Sequence, residues 1–273
     1  MWFTHPASTI GQSVSPSTRE GRARPRTRPG RWRHYTGDLL VTTPVTILAP
    51  CFDEQEVISE FVAEVFRVMP ADWELLLVDD GSTDRTPDLL RELATRHPRL
   101  RVVTHPENRG LGAALQTGFR ESAGEVIVTM DADLSHPLEL LPALVAECAT
   151  ADAVFASRFV PGGAMNGVPF HRRAVSTIGN AVLRLLFRSP VRDLTTGFRA
   201  CRAEVIRGLE ITSSGFEAQL ELSVRLVRSG ARIVELPLRL GARVAGASKM
   251  RYAKLVPAYL GVIARLAFRR RRR

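Results

Sequence analysis

From Val45 onward, short apolar runs alternate with stretches of helical spacing, the pattern of a mostly parallel sheet covered on both faces by helices. The runs predict strands at 45–49 (VTILA), 74–78 (ELLLV), 101–104, 125–130 (EVIVTM), 153–156 and 232–236. Helices fill the gaps. Ile58, Phe61, Val62, Val65 and Met69 recur at helical spacing and are expected to face the sheet. Ser82 and Asp84 are candidate caps for a second helix. The run from Gly110 to Ser122 reads as a helix with a small-residue face, and 137–149 as another that opens near Pro137. Over 171–187, Val175, Ile178, Val182, Leu185 and Leu186 form one stripe, expected to be core more often than membrane contact. The expected fold class is α/β, a Rossmann-like central sheet flanked by helices in one catalytic domain over 44–250.

Residues 1–43 break this pattern. They are rich in Ser, Thr, Pro, Gly and Arg without apolar periodicity, and they are expected to form a disordered basic arm. The formal charge of +10 resides at the ends of the chain. Seven Arg against Glu20 and Asp38 give the arm +5, and Arg269–Arg273 supply the rest. Between them, 44–268 holds 26 basic and 26 acidic residues, so the body is formally neutral. Basic ends on a neutral body suit an anionic surface better than a nucleic-acid interface, and no nucleic acid is expected as a partner. Three widely spaced Cys with no CxxC pair argue against a disulfide framework or a zinc site. No run of 18 apolar residues and no signal-peptide core is present, and the expected location is cytoplasmic.

In open parallel sheets, ligands sit outside the carboxyl ends of the strands. Here those ends are acidic and polar: Pro50, Cys51, Phe52, Asp53 and Glu54; then Asp79, Asp80, Gly81 and Ser82; then Asp131, Ala132 and Asp133. Two carboxylates one residue apart after a buried strand can reach a single hard cation, Mg²⁺ or Mn²⁺, that completes its shell with phosphate oxygens. Taken alone, the pair also fits turn acids that cap the helix near Pro137. Asp79 and Asp80 cannot form a Walker-type phosphate site, because carboxylates repel phosphates and no GxxxxGK loop exists. They suit base N–H groups or ribose hydroxyls, or a turn into the next helix, and the sequence does not separate the two. Downstream lie Arg158 in SRFVPGG, Arg172 and Arg173 at a helix start, Arg199 in TTGFRA, and Arg243 and Lys249 in GARVAGASK. As a set these cations complement an anionic acceptor and a departing diphosphate.

The motifs LAPCFDEQE (48–56), VDDGSTDRT (78–86), ENRGLGAAL (107–115), MDADLSHP (130–137), SRFVPGG (157–163), DLTTGFRACR (193–202), GFEAQLEL (215–222) and ARVAGASKM (242–250) resemble inverting family 2 glycosyltransferases of the GT-A fold. Among these the chain is most similar to dolichyl-phosphate or polyprenyl-phosphate mannose synthases. The resemblance implies transfer of a sugar, mannose from GDP-mannose, onto a polyprenyl or dolichyl phosphate. It implies that Pro50, Phe52, Glu54 and Asp79 or Asp80 hold the nucleoside and that Arg109 assists the donor diphosphate. By the same resemblance Asp131 and Asp133 hold the metal, with Ala132 and Arg158 completing the nucleotide-sugar set. Arg172, Arg243 and Lys249 match basic positions around donor and acceptor phosphates. The chain departs from the pattern twice. Ser135 stands where some members carry a Gln metal ligand, and Cys51 where Thr or Ser is usual.

A lipid phosphate is already anionic at neutral pH, so no strong general base is required, and Glu217 or Glu221 is a candidate for positioning sugar hydroxyls. Residues 251–273 read as an apolar helix with an Arg tail, open to three readings: an interfacial anchor, a helix packed on the catalytic domain, or a site for a membrane-anchoring partner protein. The rival functions are a polyprenyl-phosphate glucosyltransferase, another UDP-sugar transferase, and a nucleotide-sugar or nucleic-acid binding protein.

Overall fold

The computed structural model describes residues 43–241 and 252–268. The strands are β1 (Val45–Cys51), β2 (Trp73–Asp79), β3 (Leu100–Thr104), β4 (Val126–Thr129), β5 (Ala153–Ser157), β6 (Ala164–Met165), β7 (Arg199–Arg202), β8 (Ile233–Pro237) and β9 (Arg239–Leu240). The helices are α1 (Ile58–Val68), α2 (Thr86–Arg96), α3 (Leu111–Glu121), α4 (Leu141–Glu147), α5 (Phe170–Phe187), α6 (Ala203–Ile206), α7 (Glu217–Arg228) and α8 (Tyr252–Phe268). Seven strands form one sheet in the order β3-β2-β1-β4-β7-β5-β8, and β6 pairs with β9 beside it. Each expected strand is found within two residues of its expected ends. The α/β reading holds, with a mostly parallel sheet covered on both faces.

Alternation along the strands sorts the core into two layers. Ile47, Ala49, Leu75, Leu77 and Val128 face α1, α2 and α4. Leu48, Leu76, Val78 and Ile127 face α3, α7 and α8. Ile58, Phe61, Val62, Val65 and Met69 are buried as their spacing predicts. Cys51, Cys148 and Cys201 are buried, and none of them forms a disulfide among the described residues.

Three features differ from the expectations. The TTGFRACR segment supplies β7, which runs antiparallel between β4 and β5. A four-residue strand has too few alternations to register as one, and its place is decided by the neighbours that pair with it. The helix expected over 137–149 divides into a 3₁₀ turn at Leu138–Leu140 and α4. The third difference is in α5. Val175, Ile178, Val182, Leu185 and Leu186 are exposed, with Leu185 at 81%, and only Asn180 and Leu183 of this helix are buried. Asn180 Oδ1 accepts the Leu194 N–H at 2.9 Å, and its Nδ2 donates to Thr195 Oγ1 at 3.0 Å and to the Ser176 carbonyl. Satisfying a buried amide from the loop before β7 turns the apolar stripe outward.

The helix within 251–273 packs on the body: Val262 and Leu266 are buried, and Tyr259 and Ile263 join the same core layer. Val256 and Leu260 remain exposed. No described helix is long and apolar enough to cross a membrane. The arm at 1–42, and the Arg269–Arg273 tail, lie outside the described residues.

Candidate active site

Because β1, β2 and β4 are parallel neighbours, their carboxyl ends open on one edge of the sheet. The first two loops are stapled together. Asp53 adopts φ 50°, its N–H donates to Ser82 Oγ at 2.9 Å, and its Oδ1 accepts the Thr83 N–H at 2.7 Å. The Glu54 N–H donates to Thr86 Oγ1 at 2.8 Å, and Asp84 Oδ1 accepts the Thr86 N–H at 2.8 Å in the turn that leads into α2. Neither expected cap occupies the N-cap of α2, which is Arg85: Asp84 bonds within the turn before it and Ser82 ties the loops. Pro50, Phe52 and Glu54 are half-buried along this edge. The Cys51 side chain is buried and lies 3.7 Å from the Val78 carbonyl, and its own carbonyl accepts the Asp80 N–H. The side chain at this position belongs to the core, so a thiol replaces a hydroxyl there without altering the open face.

The structure separates the acidic neighbours that the sequence left together. Asp80 Oδ1 meets His105 Nδ1 at 2.7 Å and accepts the Arg109 N–H at 3.0 Å, while its Oδ2 accepts the Gly110 N–H at 2.7 Å. Asp80 thus organises the turn into α3. Among the described residues, Asp79 accepts the Ser82 N–H at Oδ1 and its buried Oδ2 has no hydrogen-bond partner. A buried carboxylate oxygen without a donor is costly unless a ligand supplies one. Gly110, at φ 88°, and Gly112 hold the other side of the turn. A Cβ on Gly110 would lie 2.3 Å from the Ser214 carbonyl oxygen, and one on Gly112 1.8 Å from that of Ser213. Arg109 gives its amide to Asp80, and the residue is exposed at the mouth.

Beyond β4, Asp131 is half-exposed and Asp133 is buried, with Asp133 Oδ1 accepting the Ser135 N–H at 3.0 Å. Leu134, between Asp133 and Ser135, is left-handed at φ 59°, as the tight turn requires. His136 Nδ1 accepts the Asp131 N–H at 3.3 Å, which leaves the neutral ring's proton on Nε2, 3.7 Å from Asp131 Oδ2. Burial lowers the His136 pKa against the opposing pull of Asp131 and Asp133, and the ring stacks on Phe198 at 4.8 Å. Among the described residues no three His, Cys, Asp or Glu side chains are placed to hold a metal together. Two carboxylates one residue apart, Asp131 and Asp133, would suit a hard divalent ion that completes its shell with phosphate oxygens.

The family 2 glycosyl transferase model matches residues 46–209, which include all three acidic strand ends. The chain belongs to glycosyltransferase family 2. The enzyme is 33% identical over 226 residues to a dolichol-phosphate mannosyltransferase of Pyrococcus furiosus, covering 81% of this chain and 63% of that one. It is 36% identical to an undecaprenyl-phosphate mannosyltransferase of Micrococcus luteus, covering 76% and 87%, and 36% identical to a polyprenol monophosphomannose synthase of Mycolicibacterium smegmatis, covering 81% and 88%. Glucosyl-3-phosphoglycerate synthase of Mycobacterium tuberculosis, solved with Mn²⁺, UDP and glucosyl-3-phosphoglycerate, superposes with TM-score 0.64 at 21% identity, covering 83% of this chain and 80% of that one. That likeness establishes the GT-A fold.

In this glycosyltransferase the expected cations divide into distinct groups. Arg158 is held by Asp193 through Nε and Nη2, both at 2.7 Å, and its Nη2 also donates to Thr195 Oγ1 at 2.8 Å. Burial disfavours its charge, but Asp193 outweighs burial and raises its pKa. Arg199 is no loop cation: it begins β7, is fully buried, and lies over the Phe155 ring at 4.7 Å. Burial lowers its pKa to about 10. Arg172 is exposed on the first turn of α5. Arg243 and Lys249 lie outside the described residues.

Glu221 is removed from the candidates for sugar hydroxyls. Its buried carboxylate accepts from Thr212 and Ser213, from Arg225 at 2.5 Å, and from Arg265 of α8 at 3.1 Å. Burial raises its pKa, but the hydrogen bonds of Ser213, Arg225 and Thr212 outweigh burial and hold it at about 2. Glu217 is buried at the start of α7 and accepts the Gly215 N–H at 3.0 Å. His136 and Asp53 are absent from the sequence-derived site. One signal was available for His136, an imidazole three residues after the second Asp and directly before Pro137; Asp53 was legible only as one of the polar residues after the first strand, because its role depends on a neighbouring loop.

Proposed function

We propose that this glycosyltransferase moves mannose from GDP-mannose onto a polyprenyl or dolichyl phosphate, with inversion at the anomeric carbon, using Mg²⁺ or Mn²⁺. The observation that carries this reading is the placement of the Asp131–Asp133 turn on the same sheet edge as Asp79 Oδ2, which has no partner among the described residues. The names of the three mannosyltransferase relatives support the donor and the acceptor class.

Asp79 Oδ2 accepts an N–H of the nucleobase, with Pro50, Phe52 and Glu54 lining the nucleoside and Ala132 close to the sugar. Arg109 meets the donor diphosphate. Asp131 and Asp133 hold the divalent ion, which when bound neutralises charge developing on the departing nucleoside diphosphate. Arg158, Arg172, Arg243 and Lys249 orient phosphates of donor and acceptor. The acceptor oxygen arrives already ionised, so these side chains contribute position and charge and no proton has to be removed. His136 keeps the Asp131 turn in register. A lipid acceptor places the enzyme at the cytoplasmic face of a membrane as a peripheral protein, by its own surface or through a membrane-anchoring partner.

The test is transfer of radiolabelled mannose from GDP-mannose to a short polyprenyl phosphate in detergent, with Mn²⁺ or chelator, by the wild type and Asp133→Ala. Labelling that needs the metal and disappears in the variant supports donor, acceptor and metal site together. Activity with UDP-glucose or UDP-N-acetylglucosamine in place of GDP-mannose would overturn the mannose assignment and leave the fold intact.

A further inference from the structure

The residues before β7 and the first turn of α7 form a floor beneath the Asp131 turn. Thr129, the last residue of β4, donates its hydroxyl to the Gly197 carbonyl at 2.8 Å, which seats residues 196–198 beside the turn that follows β4. His136 stacks on Phe198 and brings Nε2 to 3.7 Å from Asp131 Oδ2. The other carboxylate oxygen has a different neighbour. A Cβ built on Gly197 would stand 3.2 Å from Asp131 Oδ1 and 3.1 Å from Gln219 Nε2, so the carboxylate and the amide meet at the space a side chain would fill.

Gln219 is buried on the first turn of α7, and its amide is held in one orientation. Its Oε1 accepts from Arg199 Nη2 at 3.0 Å, which leaves the two N–H groups of Nε2 for the Gly197 side. An amide held this way presents donors, which suit a carboxylate and not a cation. Arg199 is fully buried, and its Nη2 also donates to the Thr196 carbonyl, closing the 196–199 segment on itself. Its Nε and Nη1 have no hydrogen-bond partner among the described residues. Burial disfavours this charge, and the nearby Asp193 and Asp131 favour it. Keeping a guanidinium in the core with only neutral oxygens bonded to it is costly to the fold.

We propose that Gln219 is a positioning residue for Asp131, set in its orientation by Arg199. The guanidinium fixes which end of the amide faces the turn, and the Nε2 donors restrain Asp131 Oδ1 while His136 restrains the side of Oδ2. Asp131 is half-exposed, so a carboxylate held on one side only would turn among rotamers. Restrained on both, it loses less freedom when the divalent ion binds, and the ion binds more tightly. Gly197 is part of the device, because any side chain there would part the amide from the carboxylate. Neither Gln219 nor Arg199 touches substrate.

This rests on Asp131 and Asp133 as the metal pair, and Asp133→Ala separates the two failures. Mn²⁺ is titrated into the full chain with GDP, and in parallel with UDP, and binding is read from the loss of the free-ion electron paramagnetic resonance signal. Wild type is compared with Asp133→Ala, Gln219→Met and Gly197→Ala, each melted without metal. Gln219→Met is expected to weaken Mn²⁺ binding about tenfold. Gly197→Ala, which keeps the Arg199–Gln219 bond, is expected to melt close to wild type and to weaken Mn²⁺ binding several-fold. In transfer assays both need proportionately more Mn²⁺ for half-maximal rate and regain the wild-type kcat at saturating Mn²⁺, a recovery that a merely structural defect does not show. If Gln219→Met does not fold, Gly197→Ala decides alone. Variants that bind Mn²⁺ as wild type does, while Asp133→Ala does not, would overturn the positioning role and keep the metal pair. Transfer lost in the variants and not restored by Mn²⁺ would also overturn it. A wild type that binds Mn²⁺ no better than Asp133→Ala removes the metal pair and this role together.

Discussion

Asp80 and Asp79 are adjacent at the end of β2, yet Asp80 engages both oxygens with His105, Arg109 and Gly110 while Asp79 leaves Oδ2 without a partner among the described residues. Substituting each by Asn therefore has opposite expected results. Asp80→Asn replaces one acceptor oxygen by a donor that faces other donors, and it is expected to destabilise the fold by about 2–3 kcal/mol, measured by denaturant unfolding. Asp79→Asn is expected to melt close to wild type and to raise the KM for the nucleotide sugar about tenfold or more. Equal loss of stability in both variants would show that Asp79 is also structural.

Glu221 ties α7, the 212–213 segment and α8 together, and its charge makes that junction sensitive to acid. An unfolded carboxyl takes up its proton near pH 4.5 and the folded one near 2, so the unfolded state binds the proton first. The contribution of about 3 kcal/mol is complete above about pH 4.5 and is lost as pH falls toward 2. Unfolding free energies of wild type and Glu221→Gln are expected to differ at neutral pH and to converge in that window. A constant difference down to pH 2 would refute the assignment.

The Arg158–Asp193 pair is buried, so removing one partner leaves the other charged and poorly solvated. Asp193→Asn is expected to cost roughly 3 kcal/mol in urea unfolding and to lower transfer, because Arg158 loses its charged partner and one of the two carboxylate oxygens that aim it. Asp193→Asn/Arg158→Met is expected to recover much of the stability and none of the transfer.

Two helical glycines give contrasting outcomes under the same change. Gly112→Ala would drive a methyl group to 1.8 Å from the Ser213 carbonyl oxygen, and a loss of about 2 kcal/mol or more is expected. Gly179→Ala on α5 meets no atom within 4 Å, and a gain of about 0.5–1 kcal/mol is expected from helix propensity. Thermal melts of the two variants check both.

By itself the sequence determined the sheet, its helical cover and the three acidic strand ends, because strand and helix periods and the run of polar residues after each strand are local signals. It also located the Asp131–Asp133 pair, since one residue of separation after a buried strand needs no tertiary partner to be legible. The tertiary structure decided what depends on a neighbour far along the chain. It inserted β7 between β4 and β5, divided Asp79 from Asp80 through donors some 25–30 residues away, and assigned Glu221 to Arg225 and Arg265. It also reversed α5. Five apolar residues on one stripe indicate a buried face only when no stronger demand turns the helix, and here the buried amide of Asn180, satisfied by Leu194 and Thr195, makes that demand.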